Sequence, residues 1–238
     1  MSTQTQQIIE ETAKIGITIS ESQADQFIKF YTMLIEKNKV MNLTSITEFE
    51  DVLKKHFIDS LSIVKAVDLS GNQSLIDVGT GAGFPGIPIK IVFPKIKCTL
   101  IDSVGKRISF LDEVIEALRL HDIETIHGRS EDLAQNKKYR EKFDLCTSRA
   151  VASLPVLAEY CLPYVKTGGV FVSYKSGKII EEAEEAKKAI RILGGKQEKL
   201  TAFELYGMGR SLITIRKTAH TPGMYPRKAG TPSKSPII

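Results

Sequence analysis

The stretch DVGTGAGFPG, residues 77–86, follows a short apolar run and precedes a helical pattern. Gly81, Gly83 and Gly86 have the spacing of a dinucleotide-binding motif, and Asp102 ends the next apolar run, as that motif also requires. In an open parallel sheet, such a loop binds a ligand beyond the carboxyl end of the first strand. Binding of NAD is therefore one interpretation of the loop.

Asp77 favours a different ligand. It stands two residues before Gly79, where the pyrophosphate of a dinucleotide would approach, and its carboxylate would repel that diphosphate. S-adenosylmethionine carries an ammonium and a sulfonium but no phosphate. In this interpretation the glycines let the backbone approach the ligand, Asp102 binds the ribose hydroxyls, Asp77 orients the methionine amino group, and Ser130 and Glu131 flank the adenine. The order of these acids at strand ends favours a methyltransferase over an NAD oxidoreductase.

The run DLCTSRAVASL, residues 144–154, forms the fourth predicted strand and the turn after it, where the transferred group would lie. It lacks the acid-or-Asn-Pro-Pro-aromatic loop that many enzymes use to methylate exocyclic amines, and no cysteine stands in the position that a pyrimidine-C5 methyltransferase needs. An acceptor that is already a nucleophile, such as guanine N7, needs only to be placed in line with the methyl group. We expect Arg149 and Lys175 to position such a substrate through a phosphate or the guanine O6, with no general base.

The elements that position these residues follow from hydrophobic periodicity. Helical patterns at 6–15, 22–36 and about 48–67 predict an N-terminal helical extension over residues 1–70. In the third helix Leu53 and Phe57 belong to an apolar stripe that we interpret as core. From residue 74, short apolar runs alternate with longer helical patterns, which predicts an α/β domain with a mostly parallel sheet over residues 71–218.

Residues 219–238 differ in composition from the rest. The chain carries a net charge of +5, yet no acid follows Glu204, and four of the nine prolines lie beyond residue 221. We expect an extended basic arm, neither helix nor central strand, that suits an anionic partner such as nucleic acid. Its bases Arg227 and Lys228 are the candidate RNA contacts, so replacing either by alanine should weaken RNA binding without changing cofactor affinity.

Several classes of protein do not fit the sequence. The three cysteines, Cys98, Cys146 and Cys161, contain no C-x-x-C pair, which argues against a disulfide framework or a cysteine zinc site. The N-terminus lacks the features of a signal peptide, and no apolar run approaches the length of a membrane span. We expect a cytoplasmic monomer without a membrane segment or a bound metal.

Six stretches together carry a resemblance to a known family: NKVMNLTSI (38–46), HFIDSL (56–61), DVGTGAGFPGIPI, HGRSED, TSRAVASL and YPRKAGTPSKSPI. In these the chain resembles the bacterial 16S ribosomal RNA (guanine-N7) methyltransferase G family, also called glucose-inhibited division protein B. The resemblance implies a class I methyltransferase fold, Rossmann-like with seven strands, and S-adenosylmethionine as donor. It also implies methylation of guanine N7 in the 530 loop of 16S rRNA, within the small ribosomal subunit.

The resemblance further implies roles for individual residues. Those implied to contact the cofactor are Gly79, Phe84, Ser130, Glu131 and Arg149, with Asp102 at the ribose, and those implied to face the RNA are Arg149, Lys175, Arg227 and Lys228. The chain departs from the family at Ser130, where Ala is usual, and at Ser176, where Gly is frequent. Both replacements are small, and they affect local adenine and loop contacts more than the function.

Other functions stay open from the residues alone. The same fold could methylate a protein or a small molecule, although the basic arm would then have no use. A noncatalytic RNA-binding protein could keep the cofactor pocket for structure. An NAD oxidoreductase ranks last, since no residue pattern indicates a hydride-transfer site.

Overall fold

The computed structural model describes residues 2–177 and 179–238. Its strands are β1 Ser74–Val78, β2 Lys97–Asp102, β3 Ile123–His127, β4 Phe143–Arg149, β5 Val165–Ser176, β6 Gly195–Leu205 and β7 Met208–Lys217. Its α-helices are α1 Thr3–Lys14, α2 Glu21–Met41, α3 Phe49–Val52, α4 Asp59–Leu61, α5 Gly86–Val92, α6 Gly105–Leu118, α7 Ser130–Gln135, α8 Leu154–Cys161, α9 Ile180–Ile192 and α10 Thr231–Lys234. In the part of the chain described, none of these helices is long and apolar enough to cross a membrane.

The strands form one seven-stranded sheet in the order β3-β2-β1-β4-β5-β7-β6. Neighbours from β3 to β5 are parallel, whereas β7 runs antiparallel to both β5 and β6. The strand order reverses between β1 and β4, so the carboxyl ends of these two strands flank the topological switch point, where open α/β sheets bind ligands. The predicted α/β fold with a mostly parallel sheet is confirmed.

The antiparallel pair β6 and β7 has a local cause. The two strands are joined by Tyr206 and Gly207, both with positive φ, at +53° and +74°. Two residues of this conformation make the tight turn that fits the twist of a hairpin. The hairpin therefore adds β7 beside β5 in the opposite direction to the parallel strands.

The N-terminal extension packs on the glycine loop through aromatic side chains. Phe27 and Phe30 of α2 lie with ring centroids 4.9 and 5.7 Å from Phe57, and Phe84 of the loop lies 5.3 Å from Phe30. All four rings belong to one buried cluster. Leu53 and Phe57 are fully buried, as the apolar stripe predicts.

The predicted third helix is a continuous helical segment with a π turn in it. Between α3 and α4 the residues Leu53–Ile58 are π-helical, and Ser62–Lys65 continue α4 as a 3₁₀ turn. A π turn adds a residue to the helical repeat and is frequent at functional sites. Two polar residues of this segment, His56 and Asp59, reach the site described below.

Residues 219–238, the C-terminal segment, contain no strand, as expected, and only the short helix α10. The segment lies against the body of the protein and does not extend away from it. Arg140 donates hydrogen bonds to the backbone carbonyls of Thr221, Pro222 and Tyr225 at 2.8 to 3.2 Å. The segment thus finds hydrogen-bond donors far away in the sequence, which composition alone does not reveal.

Candidate functional site

The glycine loop, residues 79–85, follows β1 and has an open space on one side. Gly79 and Gly81 have φ of +70° and +62°, a region that glycine adopts without strain. A Cβ on Gly79 would lie 2.6 Å from Cγ2 of Val151, so only glycine lets the loop pass the turn after β4 this closely. A Cβ on Gly81 would meet nothing within 4 Å. The loop therefore packs tightly on one side and faces a ligand-sized space on the other.

Two adjoining cavities of about 400 Å³ each lie over the carboxyl ends of β1, β2 and β3. They share the lining residues Gly79, Asp102, Ser103 and Val151, and we call them together the strand-end cleft. The first is further lined by Leu43, Thr44, His56, Thr80, Gly81, Ala82, Phe84, Arg107, Arg149 and Ala150. The second is further lined by Val78, Ile101, Gly128, Arg129, Ser130, Glu131, Ala152, Tyr160, Gly230 and Ser233.

Asp102 lies at the centre of this cleft. Its Oδ2 accepts a hydrogen bond from the Gly81 amide and its Oδ1 one from the Val104 amide, each at 2.9 Å. Arg107 lies at 3.3 Å from the carboxylate. A carboxylate offers about four lone-pair sites, so Asp102 holds the glycine loop and keeps acceptor capacity for a ligand.

Asp77 and Gly83 are not among the residues that line the cleft. Asp77 is fully buried, and its carboxylate accepts hydrogen bonds from the Gly86 amide and the Thr147 hydroxyl, both at 3.0 Å. Burial raises the pKa of Asp77 to about 6. A Cβ on Gly83 would lie 2.6 Å from Ile87, so this glycine faces the core. Asp77 therefore ties the loop to β4 from below, and it makes no direct approach to the cleft.

Arg149, at the end of β4, is held by the N-terminal extension. Its Nη1 donates to Asp59 Oδ2 at 2.7 Å and to the Lys55 carbonyl at 3.0 Å. Its guanidinium carbon lies 5.2 Å from the centroid of the Phe84 ring. Arg210 of β7 donates to the other oxygen of Asp59 at 2.6 Å. One buried carboxylate thus orients two arginines, one from β4 and one from β7.

His56 completes this cluster as a neutral imidazole. Its Nε2 lies 2.8 Å from Thr44 Oγ1 and its Nδ1 lies 3.4 Å from Arg149 Nη2. Because Arg149 can only donate, Nδ1 is an acceptor and the proton is on Nε2. Burial first, and then the charge of Arg149, lower the pKa of His56 to about 4. The ring also stacks on Phe84 with centroids 4.7 Å apart.

A third cavity of about 440 Å³, the basic cavity, adjoins the cleft behind Arg149. It is lined by Ile46, Lys55, His56, Asp59, Ser62, Arg149, Ala150, Tyr174, Lys175, Ser176, Phe203, Arg210, Ser211 and Leu212. Lys175 donates to Glu182 Oε1 at 2.6 Å and to the Ala152 carbonyl at 2.7 Å. The structure thus brings Arg149 and Lys175 together at one cavity, whose basic residues outnumber its single acid.

The remaining sequence-predicted residues lie on the β3 side. Ser130 donates its hydroxyl to the Tyr160 carbonyl at 2.8 Å, and Glu131 Oε1 accepts the Gly230 amide at 2.8 Å. Arg227 makes an ion pair with Glu159 at 2.6 Å, while Lys228 is exposed. Neither of these two bases lines the cleft or the basic cavity.

Three residues of the site were missed as candidates from the sequence: His56, Asp59 and Arg210. The first two lie in HFIDSL, where His56 directly precedes the stripe residue Phe57 and Asp59 follows it by two positions. Ionisable residues inside an apolar helical pattern are seldom buried without partners, and that signal was present in the sequence. Arg210 carried no such signal, because it lies close to two glycines between two strand-like runs, where an exposed arginine is expected.

The chain is similar in sequence to known proteins over nearly its whole length. The family model described as rRNA small subunit methyltransferase G matches residues 23–212. The ribosomal RNA small subunit methyltransferase G of Lachnoclostridium phytofermentans is 50% identical over 97% of this chain and 96% of its own length. That of Acetivibrio thermocellus is 51% identical over 97% of this chain and 95% of its own length.

Solved structures with similar folds have lower sequence identity. A SAM dependent methyltransferase from Aquifex aeolicus has a TM-score of 0.53 at 17% identity, covering 70% of this chain and 93% of that one. TrmN from Thermus thermophilus has a TM-score of 0.53 at 14% identity, covering 69% of this chain and 53% of that one. These two share the fold with the chain. Together with the family match and the two close relatives, they lead to one conclusion: the chain belongs to the ribosomal RNA small subunit methyltransferase G family.

Proposed function

We propose that the protein transfers a methyl group from S-adenosylmethionine to N7 of a guanine in the 530 loop of 16S rRNA. Family membership supports the reaction class, because the close relatives are named as methyltransferases of small-subunit ribosomal RNA. The observation that carries the proposal is that the strand-end cleft and the basic cavity share the wall formed by His56, Arg149 and Ala150. The two cavities adjoin at these residues, so a methyl donor bound in the cleft and an anionic acceptor bound in the basic cavity would lie next to each other.

The strand-end cleft suits S-adenosylmethionine. The open space at Gly81 admits the ligand against the backbone, and Asp102 has acceptor sites left for the ribose hydroxyls. The β3 end with Ser130 and Glu131 would flank the adenine. When bound, the cofactor supplies an electrophilic methyl group on its sulfonium. Asp77 would act indirectly, by fixing the end of the glycine loop to β4.

The basic cavity would orient the acceptor. Guanine N7 carries a free lone pair at neutral pH, so the residues need only to place it in line with the methyl group. Arg149 is fixed by Asp59, and its Nε makes no hydrogen bond within the described residues, which leaves a donor for the guanine O6 or a phosphate. Arg210 adds positive charge at the same cavity. Lys175 is paired with Glu182 and bonded to the Ala152 carbonyl, so its ammonium keeps one donor for the acceptor.

A loop guanine fits this arrangement better than a base in a duplex. Proteins read RNA sequence mostly in single-stranded loops, because A-form helices hide their base edges. Lys228, which is exposed, would add a phosphate contact outside the cavity, whereas the charge of Arg227 is already matched by Glu159. An enzyme acting on bacterial ribosomal RNA would work in the cytoplasm, and no step of this proposal needs a metal or a second copy of the chain.

The test is transfer of labelled methyl from S-adenosylmethionine to unmethylated small ribosomal subunits and to protein-free 16S RNA, followed by nucleoside analysis. We expect labelled 7-methylguanosine, and the better substrate of the two shows whether ribosomal proteins contribute. Normal cofactor binding without label in either RNA would overturn the proposal. The acceptor would then be a protein or a small molecule, or the chain would be a noncatalytic RNA-binding protein.

Two arginine variants sharpen the test. Arg149→Ala removes the guanidinium that lines both cavities. It should reduce the rate of methyl transfer by at least about tenfold, a loss of about 1.4 kcal/mol of transition-state stabilisation. Arg191→Ala removes an exposed charge of α9 and should leave the rate unchanged. Equal rates for the two variants would contradict the assigned role of Arg149.

A further inference from the structure

We infer that the C-terminal segment, and not only the sheet, forms the binding site for the adenine half of the cofactor. This inference rests on the proposed function, since it takes S-adenosylmethionine as the ligand of the strand-end cleft. The cavity at the ends of β2 and β3 has Asp102 and Ser103 on one wall and Gly128–Glu131 on another. Gly230 and Ser233, from a part of the chain 100 residues later, supply the remaining wall beside Tyr160.

A direct hydrogen bond connects the two walls. The Gly230 amide donates to Glu131 Oε1 at 2.8 Å, and Glu131 is only 7% exposed. Gly230 has φ of +80° and directly precedes α10, whose Ser233 also lines the cavity. Glu131 is therefore oriented by the C-terminal segment. An adenine bound at Glu131 would contact a side chain whose position depends on that segment.

Arg227 anchors this part of the segment. Its backbone amide and Nε donate to Glu159 Oε1 at 2.7 and 2.9 Å, and its Nη2 donates to Oε2 at 2.6 Å. Glu159 is 1% exposed and belongs to α8, the helix that also carries Tyr160 of the cavity wall. A bidentate pair with a buried carboxylate fixes position as well as charge. The Arg227 side chain thus holds residues 228–233 at the mouth of the cavity.

The neighbouring Lys228 differs from Arg227 in one respect. Both carry a positive charge in the same basic segment, but Lys228 is exposed and has no hydrogen bond to the body among the described residues. The charge of Arg227 therefore serves the cofactor site, and the charge of Lys228 is available to RNA. For Arg227 this differs from the expectation that replacing it leaves cofactor affinity intact, whereas for Lys228 that expectation is kept.

The experiment is calorimetric titration of the full chain with S-adenosylhomocysteine, which binds without reacting. We expect Ser233→Trp, which places a large side chain at the cavity mouth, to weaken binding at least about tenfold. Ser235→Trp is the matched control, because Ser235 is also exposed and does not line the cavity. It should bind within about twofold of the unmodified chain.

A second pair of variants tests the anchor. Arg227→Ala should weaken binding about tenfold and Lys228→Ala by less than about twofold. Arg227→Ala leaves Glu159 buried without a partner, so circular dichroism must show that the variant is folded. If it is not, the surface pair Ser233→Trp and Ser235→Trp decides the inference.

The outcomes separate this inference from the proposed function. Binding by the unmodified chain together with equal affinities of Ser233→Trp and Ser235→Trp would overturn the inference and leave the proposed function standing. Absence of binding by the unmodified chain would overturn both. Slower amide exchange at Gly230 on ligand binding is the expected second signature.

Discussion

Arg149 and Asp59 form an ion pair largely withdrawn from solvent, with Nη1 2.7 Å from Oδ2 and side chains 14% and 8% exposed. Arg210 lies 2.6 Å from the second oxygen of the same carboxylate. These three residues, Asp59, Arg149 and Arg210, form the charge cluster. Its two positive charges and one negative charge give a net charge of +1 at the basic cavity, where we propose that RNA binds. Asp59 therefore positions the arginines while the cluster stays attractive to an anion.

Replacing Asp59 by asparagine should destabilise the fold and slow the reaction. The two arginines would lose their counter-charge in a nearly buried site, so we expect a loss of about 2 to 4 kcal/mol in the free energy of unfolding. Urea denaturation measures it. The control is Asp51→Asn, whose pair with Lys55 is exposed at 47% and 36% and should cost about 0.5 kcal/mol. Equal losses of unfolding free energy in the two variants would show that Asp59 is not the counter-charge of the two arginines.

His56 should make stability depend on pH between about 4 and 6.5. The pKa of His56 is lowered to about 4 in the folded protein, so the unfolded chain binds the proton more readily. Its contribution to stability is complete above pH 6.5 and is lost as the pH falls towards 4. Between pH 7 and pH 5 the loss is about 1 to 2 kcal/mol.

The measurement compares unfolding free energies at pH 7 and pH 5. His56→Gln should remove this part of the pH dependence, whereas His121→Gln, at an exposed histidine, should retain it. If the unfolding free energy changed with pH to the same extent in both variants, the neutral, buried state of His56 would be contradicted.

Asp77 should act in the opposite direction over the same range. Burial raises the pKa of Asp77 to about 6, so its stabilising contribution is complete below pH 3.8 and is lost as the pH rises through 6. Asp77→Asn keeps the hydrogen bond to Gly86 through its oxygen and can donate to Thr147. We expect the variant to be more stable than the unmodified chain at pH 7.5 by about 1 to 3 kcal/mol. The difference should shrink by pH 5, and a growing difference would refute the raised pKa.

Glu141 should hold the start of the C-terminal segment in place. It accepts hydrogen bonds from the Thr221 amide at 2.8 Å and from His220 at 2.6 Å, and it pairs with the fully buried Lys217 at 2.9 Å. Glu141→Gln should cost about 1 to 3 kcal/mol in unfolding free energy, because Lys217 loses its counter-charge. Glu198→Gln, at an exposed pair with Arg216, should cost less than about 1 kcal/mol.

The same carboxylate predicts acid sensitivity. Burial alone would raise the pKa of Glu141, but its hydrogen bonds with His220, Thr221 and Lys217 outweigh burial and lower the pKa to about 2. Its stabilisation is complete above pH 4.5 and is lost as the pH falls through about 2. In Glu141→Gln the acid-induced unfolding should therefore become less steep below pH 4.5, and an unchanged acid transition would rule out this role.

The sheet could be predicted from the sequence because its strands are local signals. Buried parallel strands are apolar throughout, and the runs at 74–78 and 97–102 stand out between helical patterns. The C-terminal segment could not be predicted in the same way. Its conformation depends on Arg140 and Glu159, which lie about 70 to 90 residues earlier and supply the partners that its own composition lacks.

The candidate site likewise contains residues that could be predicted from the sequence and residues that could not. Gly81 and Asp102 belong to a motif with its own spacing, and the structure brings them to one cleft. His56 and Asp59 lie in a helix whose apolar stripe is correctly interpreted as core, and their partner Arg149 comes from a distant strand. A periodic pattern identifies which face of a helix is buried, but it does not show which polar residue on that face has found a partner.

The three parts of the charge cluster have a consequence for synthesis of the chain. Asp59 leaves the ribosome 90 residues before Arg149 and 151 residues before Arg210. Arg149 can therefore neutralise Asp59 well before Arg210 is made, and the excess positive charge at the basic cavity arises only when β7 joins the sheet.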